Sequence, residues 1–474
     1  MKFNFLNTEE SHLAALIGEE SDKLGFPAYY VGGFVRDRLL NRASKDIDVV
    51  CVGDGIALAK AVSSRLNLNR DITIFKRFGT AMLNYGDIEI EFVGARKESY
   101  SANSRKPSVS PGTLEDDQNR RDFTINALAV AISPNNFGEI LDSFGGIDDL
   151  EAGIIRTPLE PSKTFSDDPL RMLRAIRFSC QLGFDILEET FEGIKKNAHR
   201  IEIISAERIH TELNKIMATN KPSVGLERLS VSGLMKYIMP EFEALRGVEY
   251  KNGVGHKDNF YHTLKVLDNL CEMSDDLWLR WAALLHDIAK PPTKKFVDGI
   301  GWTFYGHEIV GTRMAFKIFK RLKLPLDHKL KYVQKMIRLH LRPISLTRED
   351  ITDSAIRRLL FDAGDDIDDL MLLCKADITS KNEKKVQRIK ENYDLVRQKL
   401  IDVEEKDKIR NWQPPISGDL IMQTFNIPPS RTVGVLKDKI REAILDGIIP
   451  NDYQSAFDFL LEEAMKLGLK RGVK

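Results

Sequence analysis

The run Asp46-Ile47-Asp48-Val49-Val50 constrains the chain most. It reads as a strand, and residues two apart on a strand point to the same face, so two carboxylates lie side by side. Such neighbours repel unless a cation sits between them. A divalent ion such as Mg2+ supplies that charge, and a pair of ions clamps the attacking and leaving oxygens of an in-line phosphoryl transfer. An Asp-x-Asp alone is more often a pair of surface aspartates at a strand end. The preceding segment, Tyr29-Tyr30-Val31-Gly32-Gly33-Phe34-Val35-Arg36-Asp37, reads as strand, glycine turn and helix start, and it tips the balance. Glycines let the backbone approach a ligand, and a helix N-terminus offers free N–H groups to phosphate. Arg36, one turn in, adds a triphosphate contact.

A third acid completes such a site. The strand Asp87–Phe92 offers Glu89 and Glu91 on one face, and Glu91 is preferred. The polar stretch Arg96–Glu115, with Lys97, Arg105 and Lys106, reads as a mobile loop beside the site. Arg120-Arg121-Asp122-Phe123-Thr124-Ile125-Asn126-Ala127-Leu128 reads as the opening of an apolar helix with two arginines in its first turn. Cations there oppose the helix dipole, so binding an anionic nucleotide explains them better than local stability.

The periodicity then changes. The first 150 or so residues carry short β-type runs (Ile47–Val52, Ala81–Asn84, Ile88–Val93), whereas from about Ser166 onward apolar residues recur three and four apart, as in helices. The expected fold is α+β, a mixed head followed by an all-α remainder. At 474 residues the chain should divide into about three domains of roughly 100 to 200 residues. Glu383–Arg410 is a charged helical stretch, expected to be a spacer before a small helical tail.

No run of about 18 apolar residues exists, and Met1–Glu20 carries acids where a secretory signal needs a basic start, so a cytoplasmic protein with no membrane partner is expected. Cys51, Cys180, Cys271 and Cys374 are scattered and read as reduced thiols. Net charge is zero, yet ten Lys or Arg residues lie between Tyr305 and Arg342 against only Glu308 and Asp327. Such a run is most often a solvated helix face; its alternative is a nucleic-acid contact.

Asp168, Arg171, Arg174 and Arg177 recur every third residue of Asp168–Phe178, adjacent along a helix surface. Intrahelical pairing accounts for one Asp–Arg pair but not three neighbouring arginines. Cytosine and adenine both present an exocyclic amine beside a ring-nitrogen acceptor. An aspartate accepting from the amine and an arginine donating to the ring nitrogen admit C and A and reject U and G. Asp168 and Arg171 are the candidate reader, with Arg174 and Arg177 holding the base edge or triphosphate.

Gly-Gly-x-Val-Arg-Asp, Asp-x-Asp, Arg-Arg-Asp and Asp-x-x-Arg, in this order from Val31 to Phe178, resemble the class II CCA-adding tRNA nucleotidyltransferases and bacterial poly(A) polymerases of the polymerase β superfamily. The resemblance implies that Gly33 and Arg36 contact the nucleotide and that Asp46 and Asp48 bind Mg2+. Arg121, Asp122 and Asn126 would serve ribose and phosphates, and Asp168, Arg171, Arg174 and Arg177 the nucleotide-reading segment. It implies CTP and ATP as donors and the tRNA 3′ end as acceptor; no obligate protein partner is evident in the sequence. One departure is Asp167, where the family usually has Glu.

His262, His286, His307 and His340 fall in one stretch with Asp287 and Asp377. The adjacent pair His286-Asp287 ends an apolar helix, costly to bury unless it binds something. Mixed imidazole and carboxylate ligands suit one or two divalent transition ions. This set resembles the HD superfamily of metal-dependent phosphohydrolases, with His262, His286, Asp287 and Asp377 matching its ligands and His307 and His340 the extra histidines of two-metal members. The resemblance implies phosphodiesterase or phosphatase activity with Mn, Ni, Fe or Mg2+. The expected organisation is a polymerase β-like head (residues 1–150), a helical neck and RNA-binding body (151–250), an HD domain (251–385) and a charged helix with helical tail (386–474). CCA addition is the leading reading. Poly(A) or A-only addition uses the same motifs, and an HD phosphohydrolase whose head merely binds nucleotide is the rival of another class.

Overall fold

The computed structural model describes residues 3, 6–68, 72–76, 79–101, 104–346, 352–379, 383–407 and 412–471. They form two compact units, Met1–Pro240 and Glu241–Lys474.

The first unit begins with α1 (Thr8–Leu24), β1 (Ala28–Val31), α2 (Gly33–Leu39), β2 (Asp46–Cys51) and α3 (Gly55–Arg65). Strands β3 (Ile72–Phe75), β4 (Thr80–Tyr85) and β5 (Ile88–Gly94) follow. Next come β6 (Arg96–Ser101), β7 (Ser104–Pro111), α4 (Leu114–Asn119), β8 (Ala129–Ala131) and β9 (Ile140–Leu141). Seven strands make one sheet in the order β3-β4-β5-β2-β1-β8-β9. Within it β2 and β5 run parallel, pairing Asp46 with Glu89 and Asp48 with Glu91. Alternation then sends Ile47, Val49, Ile90 and Phe92 to the other face, where they are buried with Leu13, Ile17, Leu58 and Val62 of α1 and α3.

Two expectations for this region are corrected. Arg96–Glu115 is not a loop: β6 and β7 form an antiparallel hairpin that leads into α4. Residues 102 and 103 and the side chains of Arg105 and Lys106 lie outside the described residues. Nor does Arg120 open an apolar helix. Arg120 caps the C-terminal end of α4, Thr124–Asn126 is a single 3-10 turn, and Leu128–Ile132 is buried as it runs into β8 beside β1. A short apolar run buried on both faces has no period that separates strand from helix, and sheet pairing decided it.

The rest of this unit is helical: α5 (Gly146–Ala152), α6 (Pro161–Asp167), α7 (Leu170–Leu182), α8 (Glu188–Asn197), α9 (Ala206–Met217) and α10 (Pro222–Val231). The change from sheet to helices falls where the periodicity placed it.

The second unit is almost wholly helical. Helices Asn259–Cys271, Leu277–Leu285, His307–Leu322, His328–Leu339 and Ile367–Ala376 bury Phe260, Leu267, Trp281, Phe319, Val333 and Leu370. Glu383–Asp407 is helical as expected but is no free spacer. Tyr393, Val396, Leu400 and Val403 form a buried stripe at helical spacing, and the Tyr393 hydroxyl donates to the Met371 carbonyl at 2.8 Å. The final segment, 408–410, lies outside the described residues. Helices Gly418–Phe425, Arg431–Leu445 and Tyr453–Lys466 close around Ile421, Leu436, Ile440 and Leu460. Among the described residues no helix is long and apolar enough to cross a membrane. None of the four cysteines is paired.

Candidate active site and metal cluster

In the first unit a cleft of about 400 Å3 opens over the polar face of β2 and β5. Asp46, Asp48, Glu89 and Glu91 form one wall, and Arg36, Arg121, Arg174 and Arg177 supply positive charge around it. Sheet register alone brings the carboxylates together. Burial is the main influence that pushes Asp48 up to about 6; Arg121 opposes the rise, while Glu91, Asp46 and Asp117 add to it. Carboxylates crowded in this way fit a divalent cation.

Gly32 makes the approach possible. Its φ is +72°, and a Cβ there would lie 2.7 Å from Asp48 Oδ2 and 3.1 Å from Arg121 Nη1. Gly33, the glycine that the resemblance singled out, lacks the positive φ; a Cβ there would meet only Arg36 Nη2, at 3.5 Å.

One hydrogen-bonded chain fixes the cationic side. Arg36 Nη1 donates to Asn126 Oδ1 at 2.8 Å, Asn126 Nδ2 to Asp122 Oδ1 at 3.0 Å, and Arg174 Nε to Asp122 Oδ2 at 2.7 Å. Burial works against the Asp122 carboxylate, but Arg174 and the Asn126 bond outweigh it and hold Asp122 down at about 2. Arg177 pairs with buried Glu212 of α9. The guanidiniums of Arg36, Arg174 and Arg177 lie 4.8, 5.3 and 3.9 Å from the centroid of the Phe178 ring. Phe178 and Glu212 went unremarked in the sequence. Phe178 had a signal, one residue past the last arginine of the stripe, whereas Glu212 is 35 residues away from Arg177 and had none.

Arg121 reaches the cleft, but for a different reason from the one read in the sequence. It and Arg120 stand at the C-terminal end of α4, where the dipole favours cations, and both pair with buried Asp117 one turn back. The four-residue stripe also divides. Arg174 and Arg177 line the cleft, whereas Asp168 and Arg171 do not. Asp168 lies between α6 and α7, accepts from the Leu170 amide at 3.1 Å and pairs with Arg208 at 3.0 Å. Arg171 donates to the Thr164 carbonyl at 3.4 Å and to that of Arg120.

The second unit gathers all six expected metal-ligand residues. His262 and His307 lie on helices; His286, His340 and Asp377 cap the C-terminal ends of three others, and Asp287 follows His286. Two triads share one carboxylate: His262, His286 and Asp287, and Asp287, His307 and His340. Asp377 Oδ1 lies 2.9 Å from His262 Nε2. Asp287 Oδ2 is 3.3 Å from His286 Nε2, and its Oδ1 is 3.3 Å from His307 Nε2.

Three rings are oriented by their other nitrogen. Nδ1 of His286, His307 and His340 lies 2.7, 2.8 and 2.6 Å from the carbonyls of Ala283, Phe304 and Ile337. A carbonyl only accepts, so each of these Nδ1 atoms carries a proton and each Nε2 is turned toward the cluster. Buried His286 Nε2 makes no well-directed hydrogen bond among the described residues and has Asp287 Oδ2 beside it at 3.3 Å. Burial pushes His340 down to about 4, so its ring is neutral. Burial opposes the Asp287 charge, but His286 and Lys290 outweigh it and hold Asp287 well below the usual carboxylate range. Nε2 atoms converging on a carboxylate shared by two triads are what one or two divalent ions require.

Residues 28–156 match the poly A polymerase head domain, residues 183–245 the probable RNA and SrmB-binding site of polymerase A, and residues 259–382 the HD domain. An A-adding tRNA nucleotidyltransferase of Geobacter sulfurreducens is 37% identical over 48% of this chain, which spans only 26% of that protein's length. A multifunctional CCA protein of Nitrosococcus oceani is 32% identical over 75% of this chain and 85% of its own. An apo CCA-adding enzyme structure superimposes with a TM-score of 0.65 at 23% identity, covering 98% of this chain and 97% of that one.

Proposed function

Because this chain belongs to the family of CCA-adding tRNA nucleotidyltransferases and poly(A) polymerases, we propose that it adds C, C and A to the 3′ end of tRNA without a template. The observation that carries this is the in-register set Asp46, Asp48, Glu89 and Glu91 facing Arg36, Arg121, Arg174 and Arg177 across one cleft. In the reaction the RNA 3′-hydroxyl oxygen forms a bond to the α-phosphorus of CTP or ATP, and the bond to pyrophosphate breaks. The head and HD families are both metal-dependent. Asp46 and Asp48, with Glu91 beside them, hold Mg2+, which when bound neutralises charge on the attacking and leaving oxygens. The arginines bind the triphosphate, and the Asp122–Asn126 link keeps Arg36 and Arg174 in place for it. Asp168 and Arg171 are assigned the base edge on their hydrogen-bonding chemistry alone. They stand outside the cleft lining, so reading a base requires Asp168 to release Arg208 and Arg171 its carbonyls.

A-only addition is the second reading, favoured by the 37% identity to the A-adding relative. The HD cluster holds one or two divalent ions, Mn, Ni, Fe or Mg2+, for hydrolysis of phosphoesters. The test is incubation with tRNA lacking its 3′ end, labelled CTP and ATP and Mg2+, followed by sequencing of the added nucleotides. Addition of CCA supports the reading, A alone replaces it with the second, and incorporation surviving Asp48→Asn overturns the site.

A further inference from the structure

The basic run noted in the sequence is not used by either site. Lys331, Lys335, Arg338 and Arg342 follow one another at spacings of four, three and four along helix His328–Leu339 and into Leu341–Leu346. At 3.6 residues per turn these fall on one face, a stripe about 16 Å long at a rise of about 1.5 Å per residue. The stripe borders a groove of about 440 Å3 walled by Thr312, Gln334 and Leu339. Lys335 is paired with Asp366 at 2.6 Å, and Arg342 takes Asp362, the carboxylate at the groove. Lys331 and Arg338 are exposed and form no ion pair among the described residues.

Neighbouring helix His307–Leu322 repeats the pattern, since Arg313, Lys317 and Lys320 are exposed at spacings of four and three, again with no ion pair among the described residues. Elsewhere in the same unit some surface cations are matched, whereas scattered ones such as Lys265, Lys295, Lys323 and Lys375 form no ion pair among the described residues. Arg358 has Glu442 and Asp446, Arg441 has Asp438 and Glu442, and Lys439 and Lys466 share Glu463. Five unmatched like charges on two adjacent helices repel one another, and a partner that supplies regularly spaced negative charge relieves that.

We infer that the stripe Lys331-Lys335-Arg338-Arg342 is a second RNA-contacting surface, which takes the phosphate backbone of the tRNA outside the region matched as RNA-binding. It rests on the reading of the chain as an enzyme acting on tRNA. Lysine and arginine reach phosphate oxygens without reading bases, so this contact contributes affinity and salt dependence but no sequence preference.

Dissociation constants of the full-length chain for tRNA lacking its 3′ end are measured between about 50 and 200 mM salt. Wild type is compared with Lys331→Gln/Arg338→Gln, with the charge-retaining Lys331→Arg/Arg338→Lys, and with Lys23→Gln/Lys60→Gln, which removes as much charge from another surface. The glutamine pair should weaken binding about tenfold and flatten the log–log salt slope by between about 1 and 2, because each lost phosphate contact removes about 0.7 to 0.9 from it. The charge-retaining pair should bind like wild type, as should the control, and nucleotide incorporation at saturating tRNA should be unchanged in all. An unchanged Kd, a weaker Kd with an unchanged slope, or an equal loss in the control each overturns the inference. Wild type that binds tRNA but adds no nucleotide refutes the reading of the head and leaves the salt slopes to judge this surface.

Discussion

Replacing Asp122 with Asn tests whether one buried carboxylate organises the cationic side of the cleft. The side chain keeps its shape but loses one acceptor. In the native site both carboxylate oxygens accept, one from Arg174 and one from Asn126, while Asn126 is locked in orientation because its own oxygen accepts from Arg36. An amide at 122 satisfies only one of those donors and turns an N–H toward the other. A buried donor left unmade costs about 1–3 kcal/mol. The charge leads to the same magnitude. Holding Asp122 at about 2, against a usual 3.8, is worth roughly 2 kcal/mol at 1.36 kcal/mol per unit, once discounted because a third of the Arg174 side chain is exposed.

The folded value lies below the unfolded one. The contribution is therefore complete above about pH 4 and fades as pH falls toward 2, with about half remaining at pH 3. Hydrogen exchange of β2 and β5 amides reports the stability of this unit separately from the other. At pH 7 the Asn variant should be about 2 kcal/mol less protected, the gap should narrow by about half at pH 3, and KM for CTP and ATP should rise. A gap below about 0.5 kcal/mol at pH 7, or one that does not change with pH, refutes the reasoning.

Asp48→Asn should abolish incorporation while leaving metal-free thermal stability equal or higher, since burial already disfavours that charge; a clear drop in Tm counts against the electrostatic account. Asp287→Ala should strip all metal from the second unit, because both triads use it, whereas His340→Ala should spare the triad of His262, His286 and Asp287. Elemental analysis after chelation and reloading distinguishes the two, and equal metal content in both variants contradicts a shared carboxylate. Gly18→Ala should cost about 3 kcal/mol or more, measured by urea unfolding, because its Cβ would lie 2.0 Å from the Ile132 carbonyl oxygen on a buried helix face.

The carboxylate pair, the glycine turn and the six clustered histidines and aspartates of the second unit were legible because each is a local pattern or an unusual residue type. What failed was longer in range. Arg120 and Arg121 look like a helix start in one dimension, and only the pairing of β8 with β1 turns the following apolar run into a strand. Arg96–Glu115 is polar enough to read as a loop, yet its backbone groups find partners across a hairpin. The stripe from Asp168 to Arg177 promised one continuous surface. Pro169 caps a new helix and leaves Asp168 outside it, so two of the four residues line the cleft and two do not. No spacing rule linked Arg177 to Glu212, because helix packing rather than sequence proximity joins them.

The alignment of β2 with β5 also bears on what a misfolded chain can become. A slip of one residue in either strand would turn its pair of acids toward the apolar interior and push two of Ile47, Val49, Ile90 and Phe92 into water. Both the acid and the apolar changes are unfavourable, so a compact head with a mis-threaded sheet has no stable resting place. The same hydrogen bonds that hold the sheet thus act as an inspection step. Against a one-residue slip, therefore, the folded head keeps its four acids aligned, because the slipped register is disfavoured on both faces of the sheet.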